Sequence, residues 1–227
     1  MTTTDPPRSD LGLGSFPSLL ARLALRVTPR TIIDVGASDG RWSEMALASW
    51  PCARYHLLEA NPVFRPSLEE ACLRRPEHSF TMALVGGEKS RVPCRFNLEN
   101  PYQGVDVSEG PGSVLIDSTP VDAEVREHDL PPPYLLKFDV HGHETAILEG
   151  CPSTLPETCA IVMEVYTWRQ GERSLRFWDM CSHLEKSGFL PTDMCEPLYR
   201  PYDGRLCQVD MLFERADAEG MNTSRYR

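Results

Sequence analysis

Thr31-Ile-Ile-Asp-Val-Gly-Ala-Ser-Asp-Gly40 is a short apolar run that ends in a carboxylate and opens into a glycine-bearing turn. A near-continuous apolar run of this length reads as a strand buried on both faces, as in a parallel sheet covered by helices. Gly36 permits a tight turn and close approach of a ligand to the backbone, and Gly40 lets the following helix pack near the strand. Ala37 and Ser38 follow Gly36, so the turn is not the Gly-x-Gly-x-x-Gly of dinucleotide sites, and the chain contains no Gly-Lys-Ser or Gly-Lys-Thr of a P-loop. Without either phosphate cradle, the turn suits a cofactor that lacks a pyrophosphate.

Outward from this strand, helices and strands alternate. A short amphipathic helix is expected over Pro17–Leu25, with apolar residues at 19, 20, 23 and 24, and further helices over Asp39–Ser49 and Pro66–Arg75. Strands are expected at Tyr55–Glu59, Phe80–Val85, Tyr134–Asp139 and Ala160–Val165. Helices over Glu144–Glu149 and Ser174–Ser187 follow, the latter closed by Gly188. Gly188–Met194 and Cys207–Phe213 read as a terminal strand pair. Val92–Leu98 alternates weakly and Ser113–Ile116 is its expected partner, which predicts a small antiparallel insertion within residues 88–130. Pro131-Pro-Pro133 reads as a rigid connector. The order predicts an α/β fold with one mostly parallel sheet, helices on both faces and a closing antiparallel pair. The expected division is a flexible segment over 1–16, a single domain over 17–215 and a tail over 216–227.

Bulk properties exclude several classes. The formal net charge is −10 in 227 residues, and no run of Lys or Arg exceeds two. A nucleic-acid backbone needs a basic face, so no nucleic-acid partner is expected. No stretch approaches the roughly 20 apolar residues of a membrane span. The start, Met1-Thr-Thr-Thr-Asp-Pro-Pro7, lacks the basic and apolar pattern of a secretory signal, so a cytoplasmic protein is expected. None of the eight cysteines forms a Cys-x-x-Cys pair, which speaks against a zinc ribbon or a redox dithiol.

Sheets of this kind bind ligands at the carboxyl ends of their strands, where strand order reverses. Four carboxylates close apolar runs: Asp34, Glu59, Asp139 and Glu164. The alternative reading of any one of them alone is a helix N-cap or a solvated loop residue. Glu59 stands 19 residues after Gly40, a place from which an acid accepts both hydroxyls of a ribose. NAD and S-adenosylmethionine share that need.

Ile33-Asp-Val-Gly-Ala-Ser-Asp-Gly-Arg-Trp-Ser43, Leu58-Glu-Ala-Asn-Pro62, Leu135-Leu-Lys-Phe-Asp-Val-His-Gly-His-Glu144 with Leu148-Glu-Gly150, and Val162-Met-Glu164 together resemble the FkbM methyltransferase pattern. The closing Gln208-Val-Asp-Met-Leu-Phe213 resembles that family's last strand, and the likeness runs from about residue 30 to 214. The chain departs from the pattern at Ser38, where Asn is usual, at Ala60-Asn-Pro62 after the acid, and at Thr119-Pro-Val-Asp122, the remnant of a Thr-Leu-Asp segment.

The resemblance implies a class I, Rossmann-like methyltransferase that uses S-adenosylmethionine. Carried over residue by residue, it implies that Asp34, Gly36 and Gly40 line the methionine end of the cofactor, that Ser38 and Asp39 contact it from the turn, and that Glu59 holds the ribose. It further implies that Ala83 and Leu84 meet the adenine. Asp139 is placed near the transferred methyl group, with Glu164 beside it. A hydroxyl acceptor needs a base. His141 and His143 both follow Asp139, and His143 is preferred because Glu144 adjoins it. The expected catalytic set is therefore Asp139, His143 and Glu164, with the loop Tyr166–Gly171 in the acceptor pocket. No residue is assigned as a metal ligand: the spacing is not that of a zinc site, and magnesium on Asp139 and Glu164 is not favoured. The implied reaction is O-methylation of a hydroxyl on a sugar, glycan or polyketide-type small molecule. An NAD-linked oxidoreductase is the first alternative; the missing second glycine and the lack of a Tyr-x-x-x-Lys pair stand against it. A non-catalytic protein that binds a nucleoside cofactor is the second.

Overall fold

The computed structural model describes residues 14–221. Residues 1–13 of the expected N-terminal segment, and 222–227 of the expected tail, lie outside the described residues. A seven-stranded sheet is built from β1 (Thr31–Val35), β2 (Arg54–Glu59), β3 (Ser79–Met82), β8 (Tyr134–Phe138), β9 (Thr158–Tyr166), β10 (Phe189–Tyr199) and β11 (Leu206–Arg215). Its spatial order is β10-β11-β9-β8-β1-β2-β3. The five strands from β9 to β3 run parallel, while β11 pairs antiparallel with β9 and with β10. Strand order reverses at β1, which lies between β2 and β8.

Two apolar cores explain why β1 carries no alternation. Ile32 packs on one face with Leu57 and Leu135, and Ile33 on the other with Leu58 and Leu136. The first face is covered by α1 (Phe16–Ala24), α2 (Arg41–Ala46) and α3 (Arg65–Arg74) through Leu20, Trp42 and Leu68. The second is covered by α4 (Val121–Glu127), α5 (Glu144–Glu149) and α6 (Phe177–Lys186) through Val121, Ile147 and Leu184. Every residue of β1 and of β8 is buried, which fits strands with helices on both sides. Among the described residues no helix is long and apolar enough to cross a membrane.

The structure differs from the sequence reading most at two elements. The expected strand Phe80–Val85 divides at Ala83. Its first part, β3, stays in the main sheet, and β4 (Leu84–Val85) leaves it to pair parallel with β7 (Val114–Thr119). β7 also pairs antiparallel with β5 (Ser90–Phe96), which pairs in turn with β6 (Val105–Asp106). The antiparallel insertion is therefore present, and β4 anchors it to the edge of the sheet. The second difference is α4, which falls inside the expected insertion. Only Val121 and Val125 mark its apolar face, too short a stripe to show as periodicity, and burial against the sheet makes it a helix.

Candidate functional site

A cavity of about 420 Å³ opens at the carboxyl ends of β1, β2, β8 and β9. Its floor depends on Gly36. This residue has φ +76°, and a Cβ built there would lie 2.0 Å from the Asp139 carbonyl oxygen, so only glycine fits. Lys137 donates from Nζ to the Gly36 carbonyl at 2.8 Å and pairs with Asp34 at 3.0 Å. Burial works against the Lys137 charge, but Asp34 and Asp139 hold its pKa above the usual lysine value. Asp34 is fully buried and also accepts the Ser43 hydroxyl at 2.7 Å. It braces the turn from beneath; the residue expected at the methionine end is not among those that line the cavity.

Gly40 and Asp39 are also absent from the wall. Gly40 caps α2 with φ +81°, facing Leu57 and Leu68. The Asp39 carboxylate is taken up by Arg41 and, at 3.2 Å, by the Tyr102 hydroxyl. Gly36, Ser38, Glu59, Ala83 and Leu84 do line the cavity. Glu59 accepts the Ser38 N–H on one oxygen at 2.8 Å and the Asn61 N–H on the other at 2.6 Å. Burial raises its pKa, and these two bonds act against the rise. Each carboxylate oxygen keeps a lone pair for a further donor.

Two polar atoms of the wall have no hydrogen-bond partner among the described residues. They are Ser38 Oγ and Trp42 Nε1, the latter on a side chain only 6% exposed. Buried donors without partners are uncommon, and both stand at the turn after β1, where a polar ligand would satisfy them. Sequence reading does not assign Trp42 to the site, and its ring also packs in the first apolar core. That reading also missed a strap from the insertion: Pro101, Tyr102, Gly104 and Val105 wall the cavity. The strap is tied by Asn61 Nδ2 donating to the Pro101 carbonyl at 3.3 Å and by Phe64 against the Tyr102 ring at 5.2 Å. No local pattern announces it, because its partners are distant in sequence.

At the other end of the cavity the expected trio divides. Asp139 and Glu164 do come together, but His141, not His143, lies between them. His141 Nδ1 is 3.2 Å from Glu164, and its Nε2 is 3.6 Å from Asp139. Burial opposes a charge on His141, yet the two carboxylates raise its pKa above the usual histidine value. The Tyr166 hydroxyl and the Gln208 amide donate to the two Glu164 oxygens. His143 lines the cavity at the start of α5, held by the Val140 backbone, and burial lowers its pKa. Glu144 does not orient it. That carboxylate accepts the Gly142 N–H at 2.8 Å. Asp210 of β11 stands opposite Glu164 of β9 in the register. Burial, then Glu164 and Asp139, push its pKa up to about 8.

The donor atoms of Asp139, His141 and Glu164 all lie within 4.8 Å of one another, a spacing compatible with a metal ion. A second, wider cleft of about 980 Å³ adjoins the cavity and shares His141, His143, Gly104 and Val105 with it. Gln170 and Gly171, from the loop expected in the acceptor pocket, line this cleft, as do Arg95, Asp106, Glu149 and Arg173.

The family model described as the methyltransferase FkbM domain matches residues 34–191. No curated protein sequence matches the chain. Among solved structures, precorrin-6y C5,15-methyltransferase from Geobacter metallireducens is 13% identical, with 87% of this chain and 86% of that one covered at a TM-score of 0.49. The 1,6-didemethyltoxoflavin-N1-methyltransferase of Burkholderia thailandensis, solved with S-adenosylhomocysteine, is 13% identical, covering 88% and 76% at 0.46. The 23S rRNA methyltransferase ErmE is also 13% identical, covering 91% and 71% at 0.46.

Proposed function

The chain belongs to the FkbM family of S-adenosylmethionine-dependent methyltransferases, and on that premise we propose that it methylates a hydroxyl on a sugar, glycan or polyketide-type small molecule. Its sheet, five parallel strands extended by an antiparallel pair, has the class I methyltransferase arrangement. The observation that carries the O-methylation reading is His141 lying between Asp139 and Glu164, where the cofactor cavity meets the wider cleft.

The cavity suits the cofactor. Glu59 has the spare lone pairs to take ribose hydroxyls, and Ala83 and Leu84 supply an apolar wall for adenine. Gly36 leaves room for the methionine end, where Ser38 Oγ and Trp42 Nε1 offer unpartnered hydrogens. When bound, the cofactor supplies a methyl group on a sulfonium, open to in-line attack. A neutral hydroxyl is a weak nucleophile, so the chain's own task is to orient it and remove its proton. His141 takes the proton at Nε2, on the Asp139 side, while Glu164 at Nδ1 stabilises the imidazolium that forms. Tyr166 and Gln208 fix the Glu164 carboxylate. A net charge of −10 supports a small-molecule or glycan acceptor over a nucleic acid. A divalent cation on Asp139, His141 and Glu164 is the second reading, supported by their donor spacing; loss of turnover with chelator and rescue by magnesium would select it.

The cofactor reading is tested by calorimetry. S-adenosylhomocysteine is expected to bind in the micromolar range while NAD does not, and Glu59→Ala weakens it by about 10-fold or more in a folded protein. Binding of NAD in place of S-adenosylhomocysteine would restore the oxidoreductase alternative. Cofactor binding without turnover on any hydroxyl acceptor would favour the non-catalytic one.

A further inference from the structure

Away from the cofactor cavity, β2 and α4 bring two histidines and a glutamate into contact. His56 is fully buried on β2, and its Nε2 lies 3.1 Å from Glu124 Oε2 of α4. His128, one helical turn beyond Glu124, places its Nε2 3.5 Å from the same oxygen. One donor atom from each residue lies within 4.8 Å of the others. In a tetrahedral site with arms of about 2.0–2.1 Å, neighbouring ligand atoms stand about 3.3 Å apart. The two separations from Glu124 Oε2, 3.1 and 3.5 Å, bracket that value.

The surroundings of His56 and Glu124 match what metal ligands require. The far nitrogen of a ligating imidazole is held by a second group, and a ligating carboxylate is itself hydrogen-bonded. His56 Nδ1 meets Ser79 Oγ at 2.8 Å, which orients the ring. Glu124 Oε1 accepts the Thr119 hydroxyl at 2.7 Å, and Oε2 accepts the Thr81 hydroxyl at 2.8 Å. Glu124 Oε2 is thus approached by two imidazole nitrogens as well as a hydroxyl, and the Thr81 hydroxyl also lies 3.3 Å from His128 Nε2. The His128 side chain is 32% exposed, which leaves an approach for the ion and room for a water as fourth ligand.

We propose that His56, Glu124 and His128 form a binding site for a zinc-like divalent cation that clamps α4 to the central sheet. Nitrogen and carboxylate donors in this number suit zinc or cobalt(II) better than magnesium or calcium. α4 directly follows β7, so the clamp secures the helix that leads out of the insertion. The role is structural and independent of the methyl-transfer reading.

The test uses the full chain after chelator treatment, titrated with cobalt(II) and followed by its visible absorption. Saturable binding at micromolar metal, displaced by zinc, is expected, with a rise in melting temperature, because a ligand of the native state stabilises it. His128→Ala should weaken binding 10-fold or more and abolish the melting shift while leaving S-adenosylhomocysteine affinity unchanged. Glu124→Gln should do the same to metal binding. His141→Ala, at the other candidate cluster, should leave this binding intact. Absence of binding, binding indifferent to His128→Ala in a folded protein, or binding lost with His141→Ala would each overturn the assignment.

Discussion

Two histidines separated by one glycine have different surroundings. His141 adopts φ +51° and Gly142 φ +102°, and this turn sends the His141 ring between Asp139 and Glu164. His143, past the turn, starts α5 and keeps to the Val140 backbone. Replacing His141 by Ala should therefore lower kcat by about 100-fold or more with S-adenosylhomocysteine affinity little changed, whereas His143→Ala should stay within about 10-fold. Equal losses from both would remove the distinction. The raised pKa adds a second readout. A base must be unprotonated, so the acid limb of kcat should lie above the usual histidine value and move when Glu164 becomes Gln. Glu59 and Gly36 were legible in the sequence because each has a local reason, a strand end or a turn only glycine can make. The choice between His141 and His143 was not legible, since the direction of a side chain in a left-handed turn follows from backbone angles that neighbouring residues do not reveal.

The turn between β1 and α2 is where element geometry and site coincide. Gly36→Ala would put a methyl carbon 2.0 Å from the Asp139 backbone oxygen at a φ of +76°. The left-handed conformation alone costs about 1–2 kcal/mol for a non-glycine residue, and the clash adds to it. The variant should melt several degrees lower and lose cofactor binding, as calorimetry and thermal denaturation would report. Wild-type stability with intact binding would show that the turn tolerates a shift of the β8 end. The strands themselves were readable from their apolar runs. The splitting of the third one was not, because β3 and β4 differ by which sheet accepts them. Ala83 donates to the Glu59 carbonyl and Gly86 to the Thr119 carbonyl, and that hand-over from one sheet to another has no local signature.

Across the whole molecule, the antiparallel closure of the sheet creates an electrostatic cost that pH should expose. β11 sets Asp210 opposite Glu164, and burial together with that neighbour raises the Asp210 pKa from 3.8 to about 8. The unfolded chain gives up this proton near pH 4, whereas the folded chain keeps it to about pH 8. Stability should accordingly fall as pH rises through that window, with a slope of at most about 1.4 kcal/mol per pH unit from this group. Asp210→Asn should flatten the slope and raise the melting temperature at pH 8. An unchanged profile would mean that Asp210 ionises normally. What the sequence determined by itself was local: apolar runs that must be buried on both faces, acids that end them, and glycines that turn the chain. Those suffice for a parallel sheet with a ligand at its carboxyl edge, because burial and strand direction follow from composition and order along the chain. Only the tertiary structure decided which groups meet. Tyr102 over Asp39, His141 beside Glu164, Asp210 across from Glu164 and His56 against Glu124 each join residues distant in sequence. Such pairings depend on strand order and register, which are set by how the whole chain buries its two cores at once.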